Sequence, residues 1–214
     1  MEIVWHGLSC FRLTERTKAT VVTDPFDHET AGFEALKLRA DIVSVSHDAS
    51  GHNFLAGVKG YTHVIDGPGE FEIGEVFITG VRTSEKKLKA GDAVPNTLYV
   101  FDYEGVTIAH LGDLQRTLTQ AEVDALGTVN VALVPVGGGS SLNAALAAEV
   151  ISSLEPGIVI PMHFKTKQTS LTLDPLDKFL KEMGLGEVKV EASLKVTAGS
   201  IPEETQVVVL EPQS

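Results

Sequence analysis

The feature that most constrains how this chain can fold is a change of rhythm near residue 113. Ahead of it lie short apolar or alternating runs at residues 2–5, 10–13, 20–23, 42–46, 63–65, 76–81, 97–102 and 106–110. Runs of this length, rich in Val, Ile, Phe and Thr and bounded by Gly, Pro, Asp or Ser, read as strands. Residues 97–102 and 106–110, joined through Tyr103-Glu104-Gly105, read as a hairpin.

Beyond residue 113 strand and helix alternate. Thr119 with Glu122 three places on has the spacing of a capping box and opens a helix that runs to Leu126. Residues 129–136 form a buried strand. Asn143 caps a helix that carries Leu146, Val150, Ile151 and Leu154 on one face and closes before Pro156. Residues 158–162 form another buried strand. Asp174-Pro175 then opens a helix with Leu176, Phe179, Leu180 and Met183 on its apolar side, stopped by Gly184, and 206–210 is the last strand. This order predicts an α/β fold of two packed sheets with helices outside. No repeat or linker divides the 214 residues, so residues 1–214 read as one domain.

Charge narrows the function. A net charge of −12 disfavours a nucleic-acid groove, which needs clustered Lys and Arg to neutralise phosphates. Lys86, Lys87 and Lys89 sit beside Glu85 and Asp92 and read as a solvated loop. No run is long and apolar enough for a membrane span, and the first residues lack the pattern of a signal peptide. The lone Cys10 excludes an internal disulfide, reads as a small buried residue and fits a reducing cytoplasm. Oligomeric state, a homo-oligomer included, is left open.

Chemistry concentrates where strands end, because there a rigid scaffold hands over to a loop that can face a ligand. Three such places carry His and Asp: Ser46-His47-Asp48-Ala49-Ser50-Gly51-His52-Asn53, His110-Leu111-Gly112-Asp113 and Pro161-Met162-His163-Phe164. Neutral imidazole and carboxylate suit a borderline divalent ion, and a catalytic ion takes about three protein ligands. His52, Asp113 and His163 would supply that number. The competing account is that each His only caps its strand end by hydrogen bonding. Asp48 reads as a turn former. Gly137-Gly138-Gly139-Ser140-Ser141 reads as a tight turn at a sheet edge; it has the setting of a phosphate loop but lacks the Gly-Lys-Ser/Thr ending. Asp66-Gly67-Pro68-Gly69-Glu70 reads as a turn pair with Glu70 as a minor cleft candidate, and His28 and His63 read as structural or exposed.

A short apolar strand, a His-rich loop, a Gly-Asp after a hairpin strand and a His after Ile-Pro-Met, in this order, resemble the metallo-β-lactamase superfamily. Trp5-His6-Gly7-Leu8-Ser9-Cys10-Phe11 and Thr23-Asp24-Pro25 add to the likeness, which is greatest to a short branch of metal-dependent hydrolases related to ascorbate-6-phosphate lactonases. The resemblance implies an αββα four-layer sandwich over the whole chain. It also implies a metal site, and there the chain departs from the pattern. The family's first motif, His-x-His-x-Asp-His, falls on His47, Ala49, Gly51 and His52, so two ligands are missing. The His expected after the strand at 76–81 is absent, and Glu85 is the nearest substitute. Asp113 and His163 match. In two-ion members one ion takes the first three histidines, the other the Asp-His pair and the last His, and the Asp matched here by Asp113 bridges them.

What the resemblance leaves is His47, His52, Asp113 and His163, with Glu85 as a fifth candidate, around one divalent ion, Zn first and Mn or Fe as alternatives. It implies a metal-dependent hydrolase of a small lactone, ester or phosphoester, with Asp113 as the catalytic orienting base. His6 precedes Gly7 where relatives often have Gly-His, and His110 reads as a residue supporting Asp113. The alternative is a metal-free, non-catalytic relative kept for binding or assembly.

Overall fold

The computed structural model describes residues 1–83 and 95–213. Two sheets carry the architecture. In the first, strands run in the spatial order Leu194–Lys195, Glu2–Gly7, Cys10–Thr14, Val21–Thr23, Ile42–Ser44 and His63–Ile65. In the second the order is Gln206–Val207, Ile158–Met162, Val131–Pro135, Thr107–His110, Thr97–Asp102, Val76–Arg82 and Gly69–Ile73.

Strand alternation explains why both faces of the first sheet are buried. Side chains of successive residues point to opposite faces. Phe11, Leu13, Val21 and Ile42 enter the core shared with the second sheet, whereas Cys10, Val22 and Val43 enter a smaller cluster with Leu8, Phe26, Phe33 and Val58. Each fully buried Leu, Ile or Phe contributes roughly 1.5–3 kcal/mol. The outer layers are unequal. Helices Gln120–Leu126, Ala144–Leu154 and Leu176–Glu182 flank the second sheet, while the outer face of the first is closed by a segment holding the short helix His28–Ala31, the 3-10 turn Leu55–Gly57 and the small parallel pair Leu38–Arg39 and Val58–Lys59.

The helix starts follow from their side chains. Thr119 and Glu122 complete a reciprocal capping box, and Asn143 accepts the amide of Leu146 at 3.0 Å. On the Asn143-capped helix the buried residues are Ala147, Val150, Ile151 and Leu154, so Ala147 takes the place expected of Leu146. Three further expectations change. The terminal strand is two strands: Gln206–Val207 extends the second sheet, and Val209–Leu210 pairs with Val190–Glu191. Glu70 lies in an edge strand opposite Thr79 with its side chain exposed, away from the cleft. The Gly137 turn follows an interior strand, not a sheet edge.

Strand direction sets where a ligand can sit. Val21–Thr23, Ile42–Ser44 and His63–Ile65 are mutually parallel, as are Thr107–His110, Val131–Pro135 and Ile158–Met162. Loops leaving the carboxyl ends of parallel strands converge, and ligand sites of open α/β sheets form there. Among the described residues no helix is long and apolar enough to cross a membrane.

Gly137 is needed where two such strand ends touch. A Cβ on it would overlap the His163 carbonyl and lie 2.9 Å from Phe164 Cα. Gly137→Ala is expected to cost roughly 1–3 kcal/mol, as other overpacking changes do. Denaturant unfolding checks this, and an unchanged midpoint would show that the strand ends can separate freely.

Candidate metal centre

Each loop delivers its residues from a strand end. Asp24 follows Val21–Thr23; Ser46, His47 and His52 follow Ile42–Ser44; Asp113 follows Thr107–His110; Ser140 and Ser141 follow Val131–Pro135; His163 follows Ile158–Met162. Several of these positions carry left-handed backbone: Leu8 (φ 44°), Asp24 (φ 38°), His163 (φ 53°) and Gly112 (φ 55°). Strain of this kind gathers at functional sites when surrounding contacts hold it in place. At Gly112 the reason is also steric, because a Cβ would lie 2.6 Å from that of Ser46.

Asp24, which sequence reasoning treated only as part of a supporting segment, organises the first loop. Its carboxylate is fully buried and accepts the Ser46 amide at 2.7 Å, the Ser46 hydroxyl at 2.6 Å and His52 Nδ1–H at 2.8 Å. The last bond puts a ring proton on Nδ1 and turns Nε2 toward Asp113. Burial alone would raise the Asp24 carboxyl, but the facing His110 and His52 and the bonds from His52 and Ser46 outweigh it and hold it at about 2. The signal for this residue in the sequence was Asp24-Pro25 at a strand end.

Asp113 is the centre of the cluster. Asn96 Oδ1 accepts its amide at 3.0 Å, while the Asn96 side-chain amide donates to Leu111 O at 3.0 Å, which fixes the turn. Ser140 donates its hydroxyl to Asp113 Oδ2 at 2.9 Å. Oδ1 is buried and has no hydrogen-bond partner among the described residues. Around the carboxylate stand His52 Nε2 at 3.6 Å and His163 Nε2 at 3.5 Å from Oδ1, and His47 Nε2 at 3.9 Å from Oδ2. One ligand atom from each of His47, His52 and Asp113 lies within 4.8 Å of the other two. His163 joins through Asp113 and lies beside His52, their ring centroids 5.5 Å apart.

These residues fit a divalent ion. Bonds of about 2.0–2.1 Å in tetrahedral geometry would set ligand atoms roughly 3.3 Å apart, close to the spacings around Asp113. A buried carboxylate oxygen without a donor, facing imidazole nitrogens, is the polar group that needs an explanation, and a cation supplies one. Burial lowers the affinity of His163 and His47 for a proton, so both offer neutral lone pairs near neutral pH. Burial also disfavours the charged form of His52, but Asp24 and Asp113 outweigh it and raise its pKa; a proton on Nε2 is what a cation would displace. Burial would raise the Asp113 carboxyl, yet His163, His52 and His47 together lower it.

The other candidates fall outside the cluster. Ala49 and Gly51 line the cavity and provide no ligand atom. Glu85, with Lys86, Lys87 and Lys89, lies outside the described residues. His6 bonds the Gln213 carbonyl at 2.8 Å and borders a separate cavity. His110 donates Nε2–H to Ser9 O at 2.8 Å and accepts the Gly112 amide on Nδ1 at 3.2 Å, so it supports Asp113 through the backbone. Asp48 is exposed and accepts the Asn53 amide, as a turn former does. His28 and His63 are exposed, and Cys10 is buried.

Two packed mixed sheets with a His and Asp cluster at the carboxyl ends of their parallel strands define an αββα sandwich of the metallo-hydrolase type. Known proteins agree. A family model described as a beta-lactamase superfamily domain matches residues 2–163. A Thermotoga maritima protein of the metallo-β-lactamase superfamily, to which a Zn-dependent hydrolase role has been ascribed, is 38% identical with a TM-score of 0.79, covering 98% of this chain and 97% of that one. A UPF0173 metal-dependent hydrolase of Thermoplasma acidophilum is 27% identical over 191 residues, 78% of this chain and 84% of the relative. Igni18, a metallo hydrolase of Ignicoccus hospitalis, shares the fold at 18% identity and TM-score 0.65, covering 92% of this chain and 99% of its own. The chain belongs to the metallo-β-lactamase superfamily.

Asp24 should matter for metal affinity through its hydrogen bond to His52, although it supplies no ligand atom itself. Asp24→Asn is expected to weaken Zn(II) binding by roughly 10–100-fold, the usual effect of removing a group that orients a ligating His. Competition with a chromophoric chelator reads this. Unchanged affinity would mean that His52 needs no orienting carboxylate.

Proposed function

We propose that this protein is a metal-dependent hydrolase working with one divalent ion held by His47, His52, Asp113 and His163, and that it cleaves a small lactone, ester or phosphoester. The observation that carries the reading is Asp113 Oδ1, buried without a donor and faced by two imidazole nitrogens, with a third at the other oxygen. Zn(II) suits three imidazoles and one carboxylate best; Mn(II) and Fe(II) accept the same donors. When bound, such an ion lowers the pKa of water and polarises the oxygen of the scissile group.

The residues divide the remaining work. Ser140 holds Oδ2 of Asp113, which keeps Oδ1 turned toward His52 and His163. Asp113 Oδ2, on the side of His47, takes the proton of the attacking water. Asn96 and Gly112 fix the turn that carries Asp113, and Asp24 fixes the tautomer of His52. Glu85 stays a fifth ligand candidate in this reading. The competing reading, a fold kept for binding or assembly, draws its support from Ala49 and Gly51, where two ligands are missing.

Metal content separates the two. Protein purified without added metal and then dialysed against Zn(II) should hold close to one ion per chain, and Asp113→Ala should lose it. Chelation should lower the thermal midpoint by about 5 to 10 °C, the effect of roughly 2.7 kcal/mol of linkage at a hundredfold excess of ion over Kd. Space for a second ion is testable as well. Among the described residues a Cβ on Gly51 would meet only Leu8 Cδ1, at 3.7 Å, so Ala49→His with Gly51→Asp should raise the content toward two ions and increase esterase activity. A metal-free, chelator-insensitive protein would end the hydrolase reading.

A further inference from the structure

We infer that the cavity over this cluster takes a neutral carboxylic ester or lactone, with the apolar acyl part lying against Leu8, Leu171 and Leu173. The inference rests on the hydrolase reading and narrows its substrate class. The cavity measures about 440 Å³. That is the size at which pockets enclose a small organic ligand. His47, His52, Asp113 and His163 line it together with the three leucines, its large aliphatic side chains.

Leu8 is held where it is at some cost. It sits in left-handed backbone, and its carbonyl is pinned by the Trp5 indole N–H at 2.9 Å and the His163 amide at 3.1 Å. The same carbonyl therefore positions a candidate ligand and an apolar wall. The Leu8 side chain is buried, and its Cδ1 would lie 3.7 Å from a Cβ on Gly51. Ala49 and Gly51 thus leave room beside the cluster that an acyl chain can fill, and each methylene buried there contributes about 0.8 kcal/mol.

Charge points the same way. Neutral imidazoles and one carboxylate around a divalent ion leave a single net positive charge. A carbonyl substrate keeps that balance, whereas the dianion of a phosphomonoester reverses it. The surface as a whole, at −12, repels anions further. The reaction needs no co-reactant but water. Its oxygen adds to the acyl carbon, the bond from that carbon to the alkoxy oxygen breaks, and the products are an alcohol, a carboxylate and one proton.

Two measurements test this. The chelator-treated full-length protein is examined by saturation-transfer NMR with ethyl hexanoate and with hexyl phosphate; the ester should bind and the phosphate should not, and Leu8→Ala should weaken ester binding severalfold. The Zn(II)-loaded protein is then assayed on p-nitrophenyl acetate, butyrate and phosphate. Butyrate should exceed acetate roughly tenfold in kcat/KM, the two-methylene increment of an apolar wall, and the ratio should fall toward one in Leu8→Ala. Leu173→Ser, at a half-buried loop position, gives the same readout if Leu8→Ala does not fold. Preference for the phosphate, a wild-type butyrate ratio near one, or ratios unchanged in both variants would overturn the inference. If the loaded protein is inert toward every ester while the metal-free protein still binds ethyl hexanoate through Leu8, the hydrolase reading fails and the acyl site stands. Inertness together with no ester binding overturns both.

Discussion

A carboxylate with no access to water is the constraint on which the site depends. Unpaired, a buried Asp24 would cost several kcal/mol, so the chain must bring donors to it. It brings three, and two of them, the Ser46 amide and hydroxyl, come from the residue that begins the His-rich loop. Ser46 then passes the constraint on. Its carbonyl accepts the Thr97 amide at 2.8 Å, which ties the first sheet's loop to the second sheet beside Asn96, and Asn96 carries the amide of Asp113. A single buried charge is thereby connected through ordinary hydrogen bonds to the carboxylate at the centre of the cluster, across the interface of the two sheets.

The two carboxylates are opposites in their surroundings. Asp24 accepts three donors across both oxygens and orients its neighbours; Asp113 keeps one oxygen without any among the described residues. Only the second arrangement suits a ligand for an ion, because each hydrogen bond accepted by a carboxylate oxygen uses a lone pair that a cation would otherwise share. Ser140 sharpens the difference by occupying Oδ2 alone. Burial does the rest, holding His47 and His163 neutral so that they act as donors of electron pairs and not as cations repelling the ion.

Much of this was legible in the sequence where local chemistry decides. The Thr119–Glu122 box, the Asn143 cap and the hairpin through Tyr103-Glu104-Gly105 depend on neighbours within a few residues, and all three are present. His47, His52, Asp113 and His163 announced themselves as His and Asp at strand ends. What could not be read depends on distant partners. Edge strand Gly69–Ile73 alternates as Glu70-Phe71-Glu72-Ile73, but Gly67, Pro68 and Gly69 at its start suggested only turns, and the partner that makes it a strand, Val76–Arg82, lies across a turn. The last strand split because Val208 donates its amide to Val159 while its neighbours turn toward Val190 and Glu191. Asp24 was visible as a residue but not as an anchor, since its three donors lie 22 to 28 positions away.

The two absent ligands and the apolar wall are parts of one arrangement. With His and Asp at positions 49 and 51 the loop would carry another carboxylate and a fourth imidazole toward the cavity, and Leu8 would lie against charge. With Ala49 and Gly51 it lies against small apolar atoms. Removing a ligating carboxylate also removes the need for a second cation to balance it, so a single ion beside Asp113 becomes electrically sufficient. The loss that looks like decay when ligands are counted is, in terms of charge and surface, a consistent exchange. On the proposed reading one ion position gives way to an apolar subsite, held in register by the Leu8 carbonyl that also accepts the His163 amide.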